Sequence, residues 1–148
     1  MVSREELDVL KKVAQIGALA GISGKIDQEN GVFSAGMQMG NRGQLVHVRP
    51  CNRNFQGAQV VTFFSPCIRV EKGFMKGITK EMAIELLRLN EEALFARYGI
   101  WTGQNADLIV ASVDHLLDTL DPEEFESSFV HVAIAADQYE SRYGRDEF

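Results

Sequence analysis

The stretch from Thr79 to Gly144 decides the fold, and its last part reads DPEEFESSFVHVAIAADQYESRYG (residues 121–144). Thr79 has the chemistry of a helix N-cap, and the Tyr98-Gly99 pair is expected to end the helix that it opens. Asp121 opens a second helix, which Gly144 closes. The pattern predicts a helix, a short strand pair and another helix, without a constellation of residues that carries chemistry. Such a chain is expected to bind rather than to catalyse.

The segment after Asp121 has the most regular helical spacing in the chain. Apolar side chains recur there at intervals of four and three residues, which places them on one side of a helix from Pro122 to about Tyr143. A stripe this broad predicts a face buried on a sheet, and the alternative is that part of it contacts a second subunit. The stripe consists of Phe125, Phe129, Val132, Ala136, Tyr139 and Tyr143.

The preceding helix is predicted from Lys80 to about Arg97 and carries two apolar stripes. The narrower stripe is the candidate dimer contact, and it consists of Ala83, Leu87 and Leu94. A strand pair follows, predicted over residues 98–101 and 106–113.

The N-terminal half reads as one helix followed by strands. Ser3, with Glu6 three residues later, predicts a capping box and a helix from Arg4 to Ala20. Period-two alternation then predicts strands over residues 33–39, 45–49 and 60–64, the last continuing at 68–70 after a bulge. Residues 40–43 are predicted as a turn and 50–57 as a polar loop. The order is α-β-β-β-α-β-β-α with an antiparallel meander, an α+β fold in a single domain covering residues 1–148.

Composition narrows the class of protein. The chain has 148 residues with 45% hydrophobic and 24% charged residues, which is ordinary for a globular domain. The N-terminus lacks a signal-peptide pattern, and the longest uncharged run, residues 54–68, is too short to span a bilayer. We therefore expect a cytoplasmic protein without a membrane partner. In that compartment Cys51 and Cys67 are expected to be packing residues rather than a disulfide.

Residue types that perform catalysis are present, but they are not grouped. His47, His115 and His131 have no Cys, Asp or Glu at ligand spacing, so structural roles are favoured. The glycine-rich run 36–43 lacks the Lys-Ser/Thr of a phosphate-binding loop, and Ser65 lacks the glycine-flanked elbow of a hydrolase nucleophile. No enzyme activity, cofactor or metal is expected.

Charge is distributed unevenly along the chain. Residues 42–80 contain seven cations and one acid, whereas residues 81–148 contain 15 acids and four cations. The acidic remainder argues against a nucleic-acid partner. A basic sheet, partly neutralised by acidic helices, is the preferred interpretation, with Arg49, Arg53 and Arg69 left to bind an acidic protein segment. Met37 and Met39 would suit an adaptable apolar binding surface, although core packing is the preferred use.

Several of these segments resemble the YbjN-like proteins, bacterial relatives of type III secretion chaperones. The resemblance is carried by residues 86–100, 120–125 and 135–139, together with 42–48 and 64–66, and covers about residues 30–143. It implies an α-β-β-β-α-β-β-α module that pairs into a homodimer. Its secretion-chaperone relatives hold an extended segment of a client protein.

Two functions are therefore carried forward. The first is a non-enzymatic, chaperone-like or regulatory module that binds an unknown protein client and acts as a homodimer. The second is a small-ligand-sensing regulatory domain, which would require a pocket with convergent polar groups.

Overall fold

The computed structural model describes residues 1–143 and has the expected α+β architecture. It contains three helices and a six-stranded antiparallel sheet with strand order β1-β2-β3-β4-β6-β5. The elements are α1 (Arg4–Leu19), β1 (Lys25–Asp27), β2 (Val32–Met39), β3 (Arg42–Phe55), β4 (Ala58–Glu71), α2 (Lys80–Glu92), β5 (Arg97–Thr102), β6 (Ala106–Leu116) and α3 (Pro122–Tyr143).

The helix starts follow the local sequence as predicted. Ser3 and Glu6 form a capping box, in which each side chain accepts a hydrogen bond from the other residue's backbone N–H. Thr79 accepts from the N–H of Met82 at the start of α2. Asp121 accepts from the N–H of Glu124 at 2.7 Å and caps α3. The predicted closing residue of α3, Gly144, lies outside the described residues.

The core lies between the sheet and the pair α1 and α3, which pack on the same face. Phe125 of α3 is its centre, with ring centroids 6.2 Å from Phe33 and 4.9 Å from Phe63. A Cβ atom at Gly17 of α1 would lie 2.9 Å from the Phe125 ring, so glycine permits this close approach. No helix of residues 1–143 packs on the opposite side of the sheet, which is called the open face below.

The predicted polar loop at 50–57 is wrong, because β3 runs through it to Phe55. Pairing with β4 shifts register between Pro50 and Asn54, so the proline interrupts the ladder without ending the strand. The turn is only Gln56-Gly57, with φ of 52° and 83°, as in a type I′ hairpin. The polar composition of residues 50–57 concealed this strand.

Other strands and turns also differ from the prediction. The 40–43 turn is shorter, because Arg42 already pairs with Met39 across a two-residue turn. β1 was not predicted, since three residues give too little periodicity. β5 is one residue longer at each end than expected, and β6 is longer at its C-terminal end. The bulge in β4 between Pro66 and Ile68 is confirmed.

The predicted end of α2 near Arg97, with Tyr98-Gly99 as its closing pair, is also wrong. The helix ends at Glu92, and Tyr98 lies inside β5. The Asn90 side chain accepts from the Tyr98 N–H at 2.7 Å and donates to the Tyr98 carbonyl at 3.0 Å. This pair of bonds ties α2 to the edge of the sheet and satisfies backbone groups that the edge would otherwise expose.

Candidate functional site

The open face carries a compact cluster of one arginine and three rings, called the open-face cluster: His47, Arg49, Phe64 and Trp101. The guanidinium carbon of Arg49 lies 4.4 Å from the Trp101 ring centroid and 5.1 Å from that of Phe64. The Phe64 ring is also 4.8 Å from Trp101 and 5.1 Å from His47. Such stacking holds a guanidinium in place while its N–H edges stay available for an anionic group.

Strand alternation produces this cluster. Val46 and Val48 point into the helix-covered core, so their neighbours His47 and Arg49 point to the open face. Phe63 belongs to the core, whereas the adjacent Phe64 is buried on the open face, within the open-face cluster. Burial lowers the pKa of His47, and its Nδ1 lies 2.6 Å from the Ser34 hydroxyl.

The structure brings together two of the three predicted binding arginines. Arg49 and Arg53 both line a groove of about 580 Å³ that runs from the N-terminus across β3 to Trp101. The groove also contains Glu29 and Asp114, so it presents both signs of charge. Arg69 lies elsewhere and bonds Glu71 at 2.8 Å on its own strand.

Other cations of the basic segment meet acids from the C-terminal half. Arg42 donates to Asp137 of α3 at 2.6 Å, and Lys72 lies 3.3 Å from Asp107 of β6. These contacts agree with a basic sheet that is partly neutralised by acidic elements.

Met37 and Met39 lie on the helix-covered face of β2. Both are half-buried and pack against the core. Their use is therefore structural in this chain, and neither lies on the open face.

The three candidate dimer residues do not form one stripe, because α2 ends before Leu94. Leu87 lies on the outer side of the helix and is 70% exposed, beside Ile84 one turn away and half-buried Ala83. Leu94 is 63% exposed but follows the helix, so it does not continue the Leu87 stripe. Only Leu86 of α2 is fully buried.

A second groove, of about 470 Å³, lies between α2 and α3, and Leu94 is on its rim. A ladder of rings lines it, with centroids 5.5 Å apart for Tyr98–Tyr139 and 4.8 Å for Tyr139–Tyr143. Burial raises the pKa of Tyr139 to about 12 and that of Tyr98 as well. Tyr98 donates to the Ala135 carbonyl at 2.7 Å, so this wall of the groove is firmly held.

The remaining side chains that could act as bases, nucleophiles or metal ligands have contacts within the fold. His115 lies 2.6 Å from the Ser128 hydroxyl, and His131 lies 2.7 Å from the Ser127 carbonyl. Burial raises the pKa of the Cys67 thiol to about 12, so Cys67 stays protonated at neutral pH. Within residues 1–143 there is no group of three or more His, Cys, Asp or Glu side chains that could hold a metal ion.

Sequence reasoning missed two groups of surface residues. The sequence predicts Trp101 on a strand and assigns it no role. Trp101 lies on the same side of β5 as Gly99 and Arg97, and this side is the open face. Phe74 and Met75, in the connection between β4 and α2, are almost fully exposed. The sequence does contain a signal for this exposure, because a lysine and a glycine lie on each side of the Phe74–Met75 pair.

The described part of the chain, residues 1–143, contains no helix that is both long and apolar enough to cross a membrane. Comparison with protein-family models and with curated proteins finds no match to this chain.

Proposed function

We propose that this chain is a non-enzymatic protein-binding module that acts as a homodimer in the cytoplasm, in a chaperone-like or regulatory role. The observation that carries the proposal is the outer side of α2, where Ile84 and Leu87 are exposed together. A helix of a globular domain normally turns its apolar residues toward the core, so an apolar pair on the outer side is a candidate contact for a partner. A second copy is the simplest occupant, because a two-fold axis that passes beside this side of α2 would bring the same residues of both copies together. The resemblance to YbjN-like proteins agrees with this pairing.

The use of the reactive side chains supports a role without catalysis. His47 and His115 each contact a serine hydroxyl, and Cys67 is buried and protonated. A Ser–His contact can activate a nucleophile, but the nucleophile must also reach a substrate. Ser128 is buried, and neither Ser–His pair lines either of the two grooves described above.

The first experiment is light scattering of the purified chain across a dilution series. The expected result is a mass of twice 16.5 kDa that falls only at the lowest concentrations. A mass of 16.5 kDa at every concentration would reject the homodimer.

For the client we propose an acidic segment that lies in the groove containing Arg49 and Arg53. Changing Arg49, Arg53 and Arg69 together to alanine should weaken binding of a fluorescein-labelled Asp/Glu-rich peptide by at least about tenfold, because charge-assisted hydrogen bonds are lost. Stability should fall by about 0.5–1 kcal/mol, from the lost stacking of Arg49. Fluorescence anisotropy and urea unfolding measure the two effects.

The matched control is a triple alanine variant of exposed cations on the helices: Arg4, Lys11 and Arg88. It makes the same change in net charge without touching the groove. If the two triple variants lose peptide affinity equally, or if neither affinity nor stability changes in the first, these arginines do not form the client site.

A small-ligand-sensing domain is the second candidate, and the groove of about 470 Å³ between α2 and α3 favours it. That volume lies within the range of small-molecule sites. A thermal-shift screen against metabolites tests it, and a true ligand should raise the melting temperature in proportion to the logarithm of its concentration. Failure of every compound in the screen to stabilise the protein counts against sensing.

A further inference from the structure

The connection between β4 and α2 forms a well-held projecting turn, called the 72–77 loop. The Lys72 N–H donates to the Asn105 carbonyl at 3.0 Å, and the Lys76 N–H donates to the Gly73 carbonyl at 3.1 Å. The Lys72 ammonium also donates to the Gly103 carbonyl. The base of the loop is therefore fastened to the β5–β6 turn, and Phe74 and Met75 are the two central residues of its tip.

The two tip residues have an unusual exposure for their type. Phe74 is 92% and Met75 is 91% exposed, more than any other large apolar side chain of residues 2–143. Met75 also has a φ of 58°, a conformation that turns normally assign to Gly or Asn. A polar residue would suit such a tip better in water, so these two adjacent apolar side chains are candidates for a contact outside the fold.

The charges around the tip are mainly positive. Lys76 and Lys80 are exposed, and the nearby carboxylates of Glu71 and Asp107 are already engaged by Arg69 and Lys72. Glu81, in the first turn of α2, is the acid that offsets them along the chain. The tip therefore combines a small apolar projection with Lys76 directly after it, and Lys80 follows at the start of α2.

We propose that the 72–77 loop attaches this protein peripherally to an anionic lipid surface. Phe74 and Met75 enter the boundary between headgroups and acyl chains, and Lys76 and Lys80 contact the headgroup phosphates and carboxylates. The sequence led us to expect no membrane partner, and the described helices do not span a bilayer. Attachment by a loop is compatible with that finding.

A lipid surface fits the loop better than a second protein does. Lysine is depleted at the centre of protein interfaces, whereas lysines beside an apolar tip are suited to an anionic bilayer. A two-residue convex tip needs a complementary pocket in a protein, but a bilayer accepts it without one. The net charge of −6 opposes approach to anionic lipid, yet it is screened beyond about 8–10 Å in physiological salt, so the local cations decide the contact.

The experiment is co-sedimentation of the full chain with vesicles of phosphatidylcholine, with or without phosphatidylserine. The wild type should bind the phosphatidylserine vesicles more strongly, and added salt should weaken that binding. Changing Phe74 and Met75 together to serine should lower the affinity at least about tenfold, because two buried apolar side chains are lost. Each of Lys76→Gln and Lys80→Gln should lower it about fivefold. The matched control is Phe55→Ser, which removes an exposed phenylalanine from the β3–β4 hairpin and should bind as the wild type does.

A second readout reports insertion directly. The tryptophan emission of Phe74→Trp should shift to the blue with phosphatidylserine vesicles. The emission of the wild type, whose only tryptophan is Trp101, should not shift. The proposal is overturned if the wild type binds neither vesicle, or if Phe55→Ser loses as much affinity as the tip variant. It is also overturned if the tip variant binds vesicles normally and instead changes the mass in light scattering, since the loop would then be a protein contact.

Discussion

Replacement of Phe125 by alanine should cost about 3–5 kcal/mol of the free energy of unfolding, the usual range for a buried phenylalanine. The side chain is fully buried, and it joins α3 to the sheet through edge-to-face contacts with Phe33 and Phe63. It also fills the space that Gly17 leaves open on α1. A cavity here weakens three elements at once, so the loss should be near the upper end of the range. Urea unfolding followed by circular dichroism measures it.

Phe55→Ala is the matched control, because Phe55 is exposed at the β3–β4 hairpin. It should change the free energy of unfolding by less than about 1 kcal/mol. If Phe125→Ala falls within about 1 kcal/mol of the wild type, the central packing of α3 on the sheet is refuted.

The helix starts could be predicted because their chemistry is local. The side chains of Ser3, Thr79 and Asp121 bond backbone N–H groups three residues away, so a short window of sequence contains the whole interaction. The end of α2 could not be predicted in this way. Residues 91–94 are mostly good helix formers, yet the backbone is already extended at Ala93. The chain that follows is held to α2 by the Asn90–Tyr98 hydrogen bonds, which join residues eight apart.

The long hairpin of β3 and β4 shows the same limit. Asn52 and Asn54 lower the intrinsic strand preference, and Pro50 lacks a backbone donor. Pairing with β4 supplies a partner on both sides of the irregularity, and no window of the sequence around β3 contains that information.

The charged residues of the candidate site could be predicted from the sequence, but its aromatic residues could not. Arg49 was selected because the 42–80 segment is basic, and it does lie on an accessible groove. The strand at 60–64 was predicted without assigning Phe63 and Phe64 to opposite sides of the sheet, although adjacent strand residues face opposite sides. Applying that parity would have placed Phe64 on the open face with Arg49. The contact with Trp101 depends on β5 and β6 folding beside β4, which only the structure shows.

Changing Ile84 and Leu87 together to glutamate should convert the proposed homodimer into a monomer, raising the dimer dissociation constant at least about 100-fold. Both residues lie on the outer side of α2, and a two-fold interface contains each of them twice, so four apolar contacts are lost per dimer. The four introduced carboxylates would also be desolvated on closure. Light scattering across the dilution series measures the change.

Two further variants show whether the dimer contact lies on the outer side of α2 or at another exposed apolar position. Leu19→Glu, at the exposed end of α1, is the matched control and should leave the mass unchanged. Leu94→Glu tests the groove rim, because Leu94 lies past the end of the helix beside α3. If Leu94→Glu alone dissociates the dimer while the Ile84 and Leu87 variant stays dimeric, the subunits meet across the α2–α3 groove. The groove would then be closed by the partner, which would remove it as a site for a small ligand.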